Sequence, residues 1–166
     1  MGYIEDMRNL VGNHPLILIG SHAIILNEQD EILLQLRTDF NRWGIIGGAL
    51  EYNETLEDAL KREVYEETGL IIKNPELFRT YSGPDFFQIY PNGNQVHGVL
   101  VVYICREFNG ELVCDQTESK ELRFFPLDEL PSNLPSVIER IVTDYRKKTR
   151  ERSAFPLKPN PFFNFC

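Results

Sequence analysis

The sequence GALEYNETLEDALKREVYEETGL at residues 48–70 decides the fold, because it contains the clearest helix of the chain. Apolar residues recur at helical spacing over residues 55–68, and at roughly 100° per residue they form one face. That face consists of Leu56, Ala59, Leu60 and Val64. Asn53 or Glu54 can cap the start of the helix, and Gly69 follows its end. The pattern predicts a helix that packs its apolar face on a sheet.

Three glutamates near the end of this helix lie on or beside the same apolar face. Glu63, Glu66 and Glu67 are spaced i, i+3 and i+4, so the helix brings them to one patch. Charged runs on helices are usually exposed, but the helical wheel turns these acids toward the sheet. Buried like charges repel one another and recruit a counter-charge. Oxygen-only ligands suit a hard divalent cation, so the sequence predicts a site for Mg²⁺ or Mn²⁺.

The two glycines that precede the helix are expected to contribute to this site. Gly47 and Gly48 end a predicted strand, and glycine lets the backbone approach a ligand closely. Their carbonyl oxygens are therefore candidate metal ligands. The alternative is a simple turn from strand to loop, since paired glycines are common there.

The remaining chain alternates strands with helices. Residues 16–27 and 32–37 predict two strands of one hairpin, and residues 43–46 predict a strand that runs into the glycines. Residues 99–106 and 111–114 predict a second hairpin around Asn109-Gly110, while residues 83–98 predict a loop. Residues 135–152 predict a second helix. This order favours an α/β (α+β) fold, an α/β/α sandwich with a mixed sheet between helices.

Size, charge and composition limit the classes of function. Residues 1–152 are expected to form a single domain, followed by an aromatic and proline-rich tail over residues 153–166. The net charge of −8, from 17 Lys and Arg against 25 Asp and Glu, disfavours nucleic acid as a partner. The chain has no apolar run of membrane-spanning length and no signal-peptide pattern at its start, so we expect a cytoplasmic protein that binds no membrane.

Residues 48–70 also resemble the Nudix box, a family signature of Gly, five residues, Glu, seven residues, Arg-Glu, an aliphatic residue, any residue, Glu-Glu, any residue, Gly and an aliphatic residue. Every fixed position of the signature is filled, by Gly48, Glu54, Arg62, Glu63, Val64, Glu66, Glu67, Gly69 and Leu70. The flanking segments extend the resemblance over about residues 15–150. Many family members have proline before the two glycines, where this chain has Ile46.

The resemblance implies a Mg²⁺- or Mn²⁺-dependent hydrolase that cleaves the diphosphate linkage of a nucleoside diphosphate derivative by water attack on phosphorus. It assigns Glu63 and Glu67 as principal metal ligands, Glu66 as a further ligand, and Arg62 as the residue that orients the glutamates, with Glu54 as its partner. Glu63 is also a candidate general base. A further acid from a later loop often completes such a site. Glu118 is the first candidate for it and Glu121 the second.

Other residues are candidates for binding a nucleotide. Arg37 and Arg42 lie just before the glycines and can contact phosphates. Aromatic side chains that can stack on a base are Phe40, Trp43, Phe86, Phe87 and Tyr90. Trp43 is more typical of a core residue than of a binding platform. His22, within an apolar strand, is expected to be a satisfied core residue.

The sequence leaves the substrate and several alternatives open. A non-catalytic nucleotide sensor on the same fold is one alternative, although the signature here is complete. A pyrophosphohydrolase acting on RNA 5′ ends is another, and the acidic charge weighs against it. A diphosphate isomerase would want a reactive cysteine, which neither Cys105 nor Cys114 suggests. The aromatic tail needs a surface to cover it, so a homodimer is also an expectation.

Overall fold

The computed structural model describes residues 2–114 and 116–154. Its helices are α1 (Tyr3–Val11), α2 (Leu56–Thr68) and α3 (Ser136–Ala154), with a short 3₁₀ turn at Pro84–Phe86. Its strands are β1 (Leu16–Ile25), β2 (Ile32–Arg37), β3 (Trp43–Gly44), β4 (Ile46–Ala49), β5 (Ile71–Lys73), β6 (Glu76–Tyr81), β7 (Phe87–Ile89), β8 (Gln95–Cys105), β9 (Glu107–Asn109) and β10 (Ser119–Phe125).

A mixed sheet forms the centre of the molecule. Its strands run in the order β4-β1-β8-β6, and β7 pairs with the first part of β8. The central pair β1 and β8 is parallel, whereas β4, β6 and β7 are antiparallel to their neighbours. A smaller sheet has the order β10-β2-β3, and β5 pairs with β9. The predicted mixed sheet is therefore confirmed.

The two faces of the large sheet carry separate cores. Alternate residues of β1 and β8, such as Ala23 and Val101, pack with Leu60 and Val64 of α2. The opposite face contributes residues such as Ile24 to a second core, which also contains β2 and the apolar side of α3. Helices therefore cover both faces, and the predicted sandwich is confirmed. Among the residues that the structure describes, no helix is long and apolar enough to span a membrane.

Helix α2 begins and ends for local reasons that the sequence contains. Thr55 caps its start, because the Thr55 side chain accepts a hydrogen bond from the amide of Asp58 while the Asp58 carboxylate accepts one from the amide of Thr55. The prediction of Asn53 or Glu54 as the cap is wrong, since Glu54 instead binds Arg62. Gly69 ends the helix at φ 72°, a left-handed conformation that favours glycine.

Both predicted hairpins are wrong, and both failed for the same reason. Strands β1 and β2 belong to different sheets and share one isolated bridge, between Leu26 and Ile32, because β4 and β8 occupy both edges of β1. Residues 111–114 form no strand, and β9 turns away to pair with β5. In each case a partner that is distant in sequence takes the edge that the hairpin would have used.

Three segment boundaries also differ from the predictions. The strand predicted at residues 43–46 divides into β3 in the small sheet and β4 in the large sheet. The loop predicted at residues 83–98 contains β7 and the start of β8. Helix α3 continues to Ala154, two residues into the predicted tail, and residues 155–166 lie outside the part of the chain that the structure describes.

Candidate active site

An open cleft lies beside the large sheet, between α2 and the first turn of α3. It encloses a cavity of about 880 Å³. The residues predicted to act in the site that line this cavity are Arg37, Arg42, Gly47, Gly48, Glu63, Glu67, Phe86, Phe87, Tyr90 and Glu118. Most of the predicted site residues therefore meet at one place, although they come from six separate segments of the chain.

Glu67 is the most buried acid in the cleft, with 3% of the residue exposed. Its two carboxylate oxygens accept hydrogen bonds from Gln35 Nε2 and from the amide of Gly47, each at 2.9 Å. Burial raises the pKa of Glu67 to about 7, and the charge of Glu63 adds to this shift while the two hydrogen bonds oppose it. Both hydrogen-bond donors are neutral, so they orient the carboxylate without cancelling its charge.

Glu63 lies one helical turn before Glu67, with its carboxylate directly against the backbone of Gly48. A Cβ atom at Gly48 would lie 2.5 Å from the Glu63 carboxyl atoms, so only glycine at position 48 leaves room for the carboxylate where it is. Burial is the main cause that raises the pKa of Glu63, and the charges of Glu66 and Glu118 raise it further. Arg62 opposes the shift through an ion pair of 2.7 Å.

Arg62 connects the acids of the signature. Its guanidinium forms ion pairs with Glu54 at 2.7 Å, with Glu63 at 2.7 Å and with Glu66 at 3.3 Å. It also donates to the carbonyl oxygen of Ala49 at 3.1 Å, which attaches α2 to the end of β4. The Arg62 guanidinium is the main cause that lowers the pKa of Glu54. These contacts fit the predicted orienting role, because one planar group fixes several carboxylates at once.

The other predicted acids divide into two groups. Glu118 lines the cavity and its charge acts on Glu63. Glu121 forms an ion pair with Arg123 and does not line the cavity, so Glu118 is the better placed of the two. The side chain of Glu66 is 58% exposed, and the expectation that all three box glutamates turn inward is therefore wrong for Glu66. The buried stripe of α2 is narrower than the predicted wheel, and Glu66 falls outside it.

The donor set fits a divalent cation, although the ligands are not gathered around one point. Glu63, Glu67 and Glu118 supply oxygen atoms around one cleft, and the missing Cβ of Gly48 gives the Glu63 carboxylate room to lie against the backbone there. Within residues 2–114 and 116–154, no three His, Cys, Asp or Glu side chains are already close enough to bind one ion. Arg62 holds Glu63 in the present arrangement. Coordination by the carbonyl oxygens of Gly47 or Gly48 stays a prediction.

His22 is a cleft residue that the sequence interpretation assigned to the core. It lines the cavity, and its Nδ1 atom is buried without a hydrogen-bond partner among the described residues. Side chains at Gly20 or Gly47 would collide with the imidazole, since their Cβ atoms would lie 2.9 Å from its nitrogens. Burial lowers the pKa of His22 to about 4, helped by the charge of Arg37, so the ring is neutral at pH 7.

The candidate substrate residues have different environments. Arg37 lines the cleft but is paired with Asp39 at 2.7 Å. The rings of Phe40 and Tyr90 lie 5.2 Å apart at the cleft wall, and Phe87 packs on His97. Phe86 and Trp43 belong to the hydrophobic core that also includes α3, although both also line the cavity. The preference for Trp43 as a core residue is thus borne out.

Two residues that hold the site together were not identified from the sequence. Gln35 and Ser119 are completely buried and hydrogen-bonded to each other and, through Gln35, to Glu67. The available signal was a single amide in the apolar strand ILLQLR at residues 32–37. Ser119 gave no signal in the sequence, and in the structure it stands beside an irregularity in the pairing of β10 with β2.

Comparison with known proteins gives one consistent result. The NUDIX domain profile matches residues 18–145. The ADP-ribose pyrophosphatase of Methanocaldococcus jannaschii is 36% identical over 137 residues, which cover 81% of this chain and 75% of that protein. The NAD-capped RNA hydrolase NudC of Vibrio parahaemolyticus is 29% identical over 129 residues, which cover 73% of this chain but only 46% of that protein.

A solved structure agrees with these sequence matches. The MutT NUDIX hydrolase of Burkholderia pseudomallei superposes with a TM-score of 0.67 at 28% identity, over 78% of this chain and 98% of that one. The similarity in structure therefore extends over more than three quarters of this chain.

Proposed function

Because this chain belongs to the NUDIX family and is a pyrophosphohydrolase of that type, we propose that it cleaves the diphosphate linkage of a small nucleoside diphosphate derivative with the help of Mg²⁺ or Mn²⁺. The products are a nucleoside monophosphate and the phosphorylated remainder of the substrate. Glu63 and Glu67 bind the cation, with Glu118 and the exposed Glu66 as further ligands.

The observation that carries this proposal is the environment of Glu67. A carboxylate with 3% exposure has two neutral hydrogen-bond donors and, among the described residues, no ion-pair partner within 4.0 Å. Leaving a charged group in such a place is costly unless a counter-charge binds there. Glu63 and Glu118 line the same cleft, so a divalent cation is the counter-charge that fits.

In the proposed reaction one bond forms and one bond breaks, both at the same phosphorus atom. The oxygen of a water molecule forms a bond to one phosphorus atom, the bond from that phosphorus to the bridging oxygen breaks, and the bridging oxygen leaves with the other phosphate. The water proton passes to a carboxylate, for which Glu63 is the candidate. A cation bound by the glutamates would neutralise phosphate charge and lower the pKa of the attacking water. Arg62 keeps Glu63 in position, and Arg37 can contact a phosphate if it leaves Asp39.

The cleft also offers an aromatic surface that suits the nucleoside. The Phe40 and Tyr90 rings, 5.2 Å apart, offer apolar surface on which a base can stack. ADP-ribose is the first substrate to test, because the relative from M. jannaschii is named for it. NAD-capped RNA is a second candidate, named by the V. parahaemolyticus relative, and the net charge of −8 opposes binding of a long RNA.

The test is a substrate panel assayed with Mg²⁺ and with Mn²⁺. It contains ADP-ribose, nucleotide sugars, dinucleoside polyphosphates, damaged nucleoside triphosphates, NAD and NAD-capped RNA. Glu67→Gln removes the central ligand charge, and Glu139→Gln is the matched control, a helical glutamate exposed on α3. We expect cation-dependent turnover that Glu67→Gln abolishes and Glu139→Gln retains. Turnover without a divalent cation, or full activity of Glu67→Gln, contradicts the proposal.

A further inference from the structure

Buried hydrogen bonds connect β10 through β2 to the Glu67 carboxylate. Ser119 Oγ donates to Gln35 Oε1 at 2.5 Å, and Gln35 Nε2 donates to Glu67 Oε1 at 2.9 Å. The Ser119 and Gln35 residues are each 0% exposed. Water therefore cannot replace either bond, and the loss of one partner leaves the other unsatisfied.

The hydroxyl of Ser119 decides which end of the Gln35 amide faces Glu67. An amide can present either its oxygen or its nitrogen to a neighbour. The Ser119 hydroxyl donates to the amide oxygen, so the amide nitrogen is the group that meets Glu67. The second oxygen of Glu67 accepts from the amide of Gly47. Each oxygen of the Glu67 carboxylate therefore accepts one hydrogen bond from the protein with one lone pair, and its other lone pair is free to bind a ligand.

Ser119 stands beside an irregularity in the strand pairing. Strands β10 and β2 pair Ser119 with Arg37 and Glu121 with Leu36, so β10 contains one extra residue at this point. The same irregularity follows directly after Glu118, whose carbonyl oxygen accepts from the amide of Thr38 at 2.9 Å. The strand pairing that buries Ser119 therefore also holds the backbone of Glu118 at the cleft.

We propose that Gln35 is a positioning residue for Glu67, and that Ser119 acts through Gln35 by fixing the orientation of its amide. Together they direct the free lone pairs of the Glu67 carboxylate into the cleft. This inference rests on the proposed function, because it takes Glu67 to be a ligand of the cation. Loss of a group that orients a metal ligand typically lowers metal affinity about 10–100-fold.

The experiment measures Mn²⁺ binding to the full chain by electron paramagnetic resonance, without substrate, alongside thermal unfolding. Gln35→Met keeps a similar volume but cannot donate to Glu67, and Ser119→Ala removes the hydroxyl. Ser21→Ala is the matched control, because Ser21 is also 0% exposed and donates one hydrogen bond, to the carbonyl oxygen of Leu56 at 2.7 Å. We expect all three variants to lose thermal stability. We expect Mn²⁺ affinity to fall about 10–100-fold in Gln35→Met, by a smaller factor in Ser119→Ala, and by less than about twofold in Ser21→Ala.

A double variant separates positioning from general destabilisation. If Ser119 acts through Gln35, adding Ser119→Ala to Gln35→Met causes no further loss of Mn²⁺ affinity, whereas independent effects would multiply. Parent-like Mn²⁺ affinity in Gln35→Met, with the parent protein binding Mn²⁺, overturns this inference and leaves the proposed function intact. A parent protein that binds no Mn²⁺ and hydrolyses nothing overturns the proposed function itself. If Gln35→Met does not fold, the test is a comparison of the Mn²⁺ affinity of Ser119→Ala with that of Ser21→Ala. Equal affinities in these two variants overturn the inference.

Discussion

Replacement of Gly48 by alanine perturbs the site with a single methyl group. The added Cβ would lie 2.5 Å from the Glu63 carboxyl atoms, whereas ordinary contacts of a Cβ are 3.4–4 Å. The carboxylate must therefore move by about 1 Å, and a misplacement of that size can lower a catalytic rate about 100-fold. We expect kcat/KM to fall about 100-fold, which corresponds to about 2.7 kcal/mol of lost transition-state stabilisation.

The stability of the Gly48→Ala protein should change little, and this separates the effect from misfolding. The atoms that the Cβ meets are the end of a flexible side chain, and Gly48 is not among the glycines with positive φ. We therefore expect the free energy of unfolding to change by less than about 1 kcal/mol.

The assay combines kcat/KM at saturating Mg²⁺, on the best substrate of the panel, with denaturant unfolding. Gly44→Ala is the matched control, because within 4 Å its Cβ would meet only Arg37 Cδ, at an ordinary 3.8 Å. A folded Gly48→Ala protein with the kcat/KM of the parent would refute the assignment of Glu63 to the reaction. An equal loss of activity in Gly44→Ala would show that an added methyl group in this part of the cleft lowers activity without any contact to the Glu63 carboxylate.

Three further predictions concern Glu67, the start of α2 and the aromatic pair of Phe40 and Tyr90 in the cleft. The pKa of Glu67 is raised from 4.5 to about 7, so between these values the metal-free folded state binds more protons than the unfolded state. The contribution of Glu67 to the free energy of unfolding should fall by about 3 kcal/mol as pH rises from 4.5 to 7, and urea titrations of Glu67→Gln should lack this contribution. Thr55→Ala removes the capping box with Asp58 and should cost about 0.5–2 kcal/mol in the same titration, with parent-like kcat. Phe40→Ala removes a ring that contacts Tyr90; it should raise KM several-fold and leave kcat nearly unchanged, and a lowered kcat with unchanged KM would place the nucleoside elsewhere.

Local features of the fold followed from neighbouring residues. The position of α2, the burial of Leu60 and Val64, and the stop at Gly69 could be predicted because they depend on helical periodicity and glycine conformation. The pairing partners of the strands could not be predicted in this way. Both hairpins were predicted because their strands are neighbours in sequence, yet β1 pairs with β4 and β8, which are further along the chain than β2.

The candidate site divides in the same way. The signature identified Glu63 and Glu67, but a helical wheel has no information about how wide the covered stripe is, so it misjudged Glu66. His22 was assigned to the core because its strand is apolar, whereas the part of that strand that pairs with Gly47 lines the cleft. The sequence also did not decide between Glu118 and Glu121, and in the structure Glu118 is the one of the two that lines the cavity.

By itself the sequence determined the main helix, its acidic residues, the mixed fold class and the family signature, because each of these is a property of residues close together along the chain. Only the tertiary structure decided which strands pair, which glutamate is buried, and that Gln35 and Ser119 reach Glu67. Those features depend on which distant segments exclude water from one another, and the free energy of burying a charge or an amide is set by that packing.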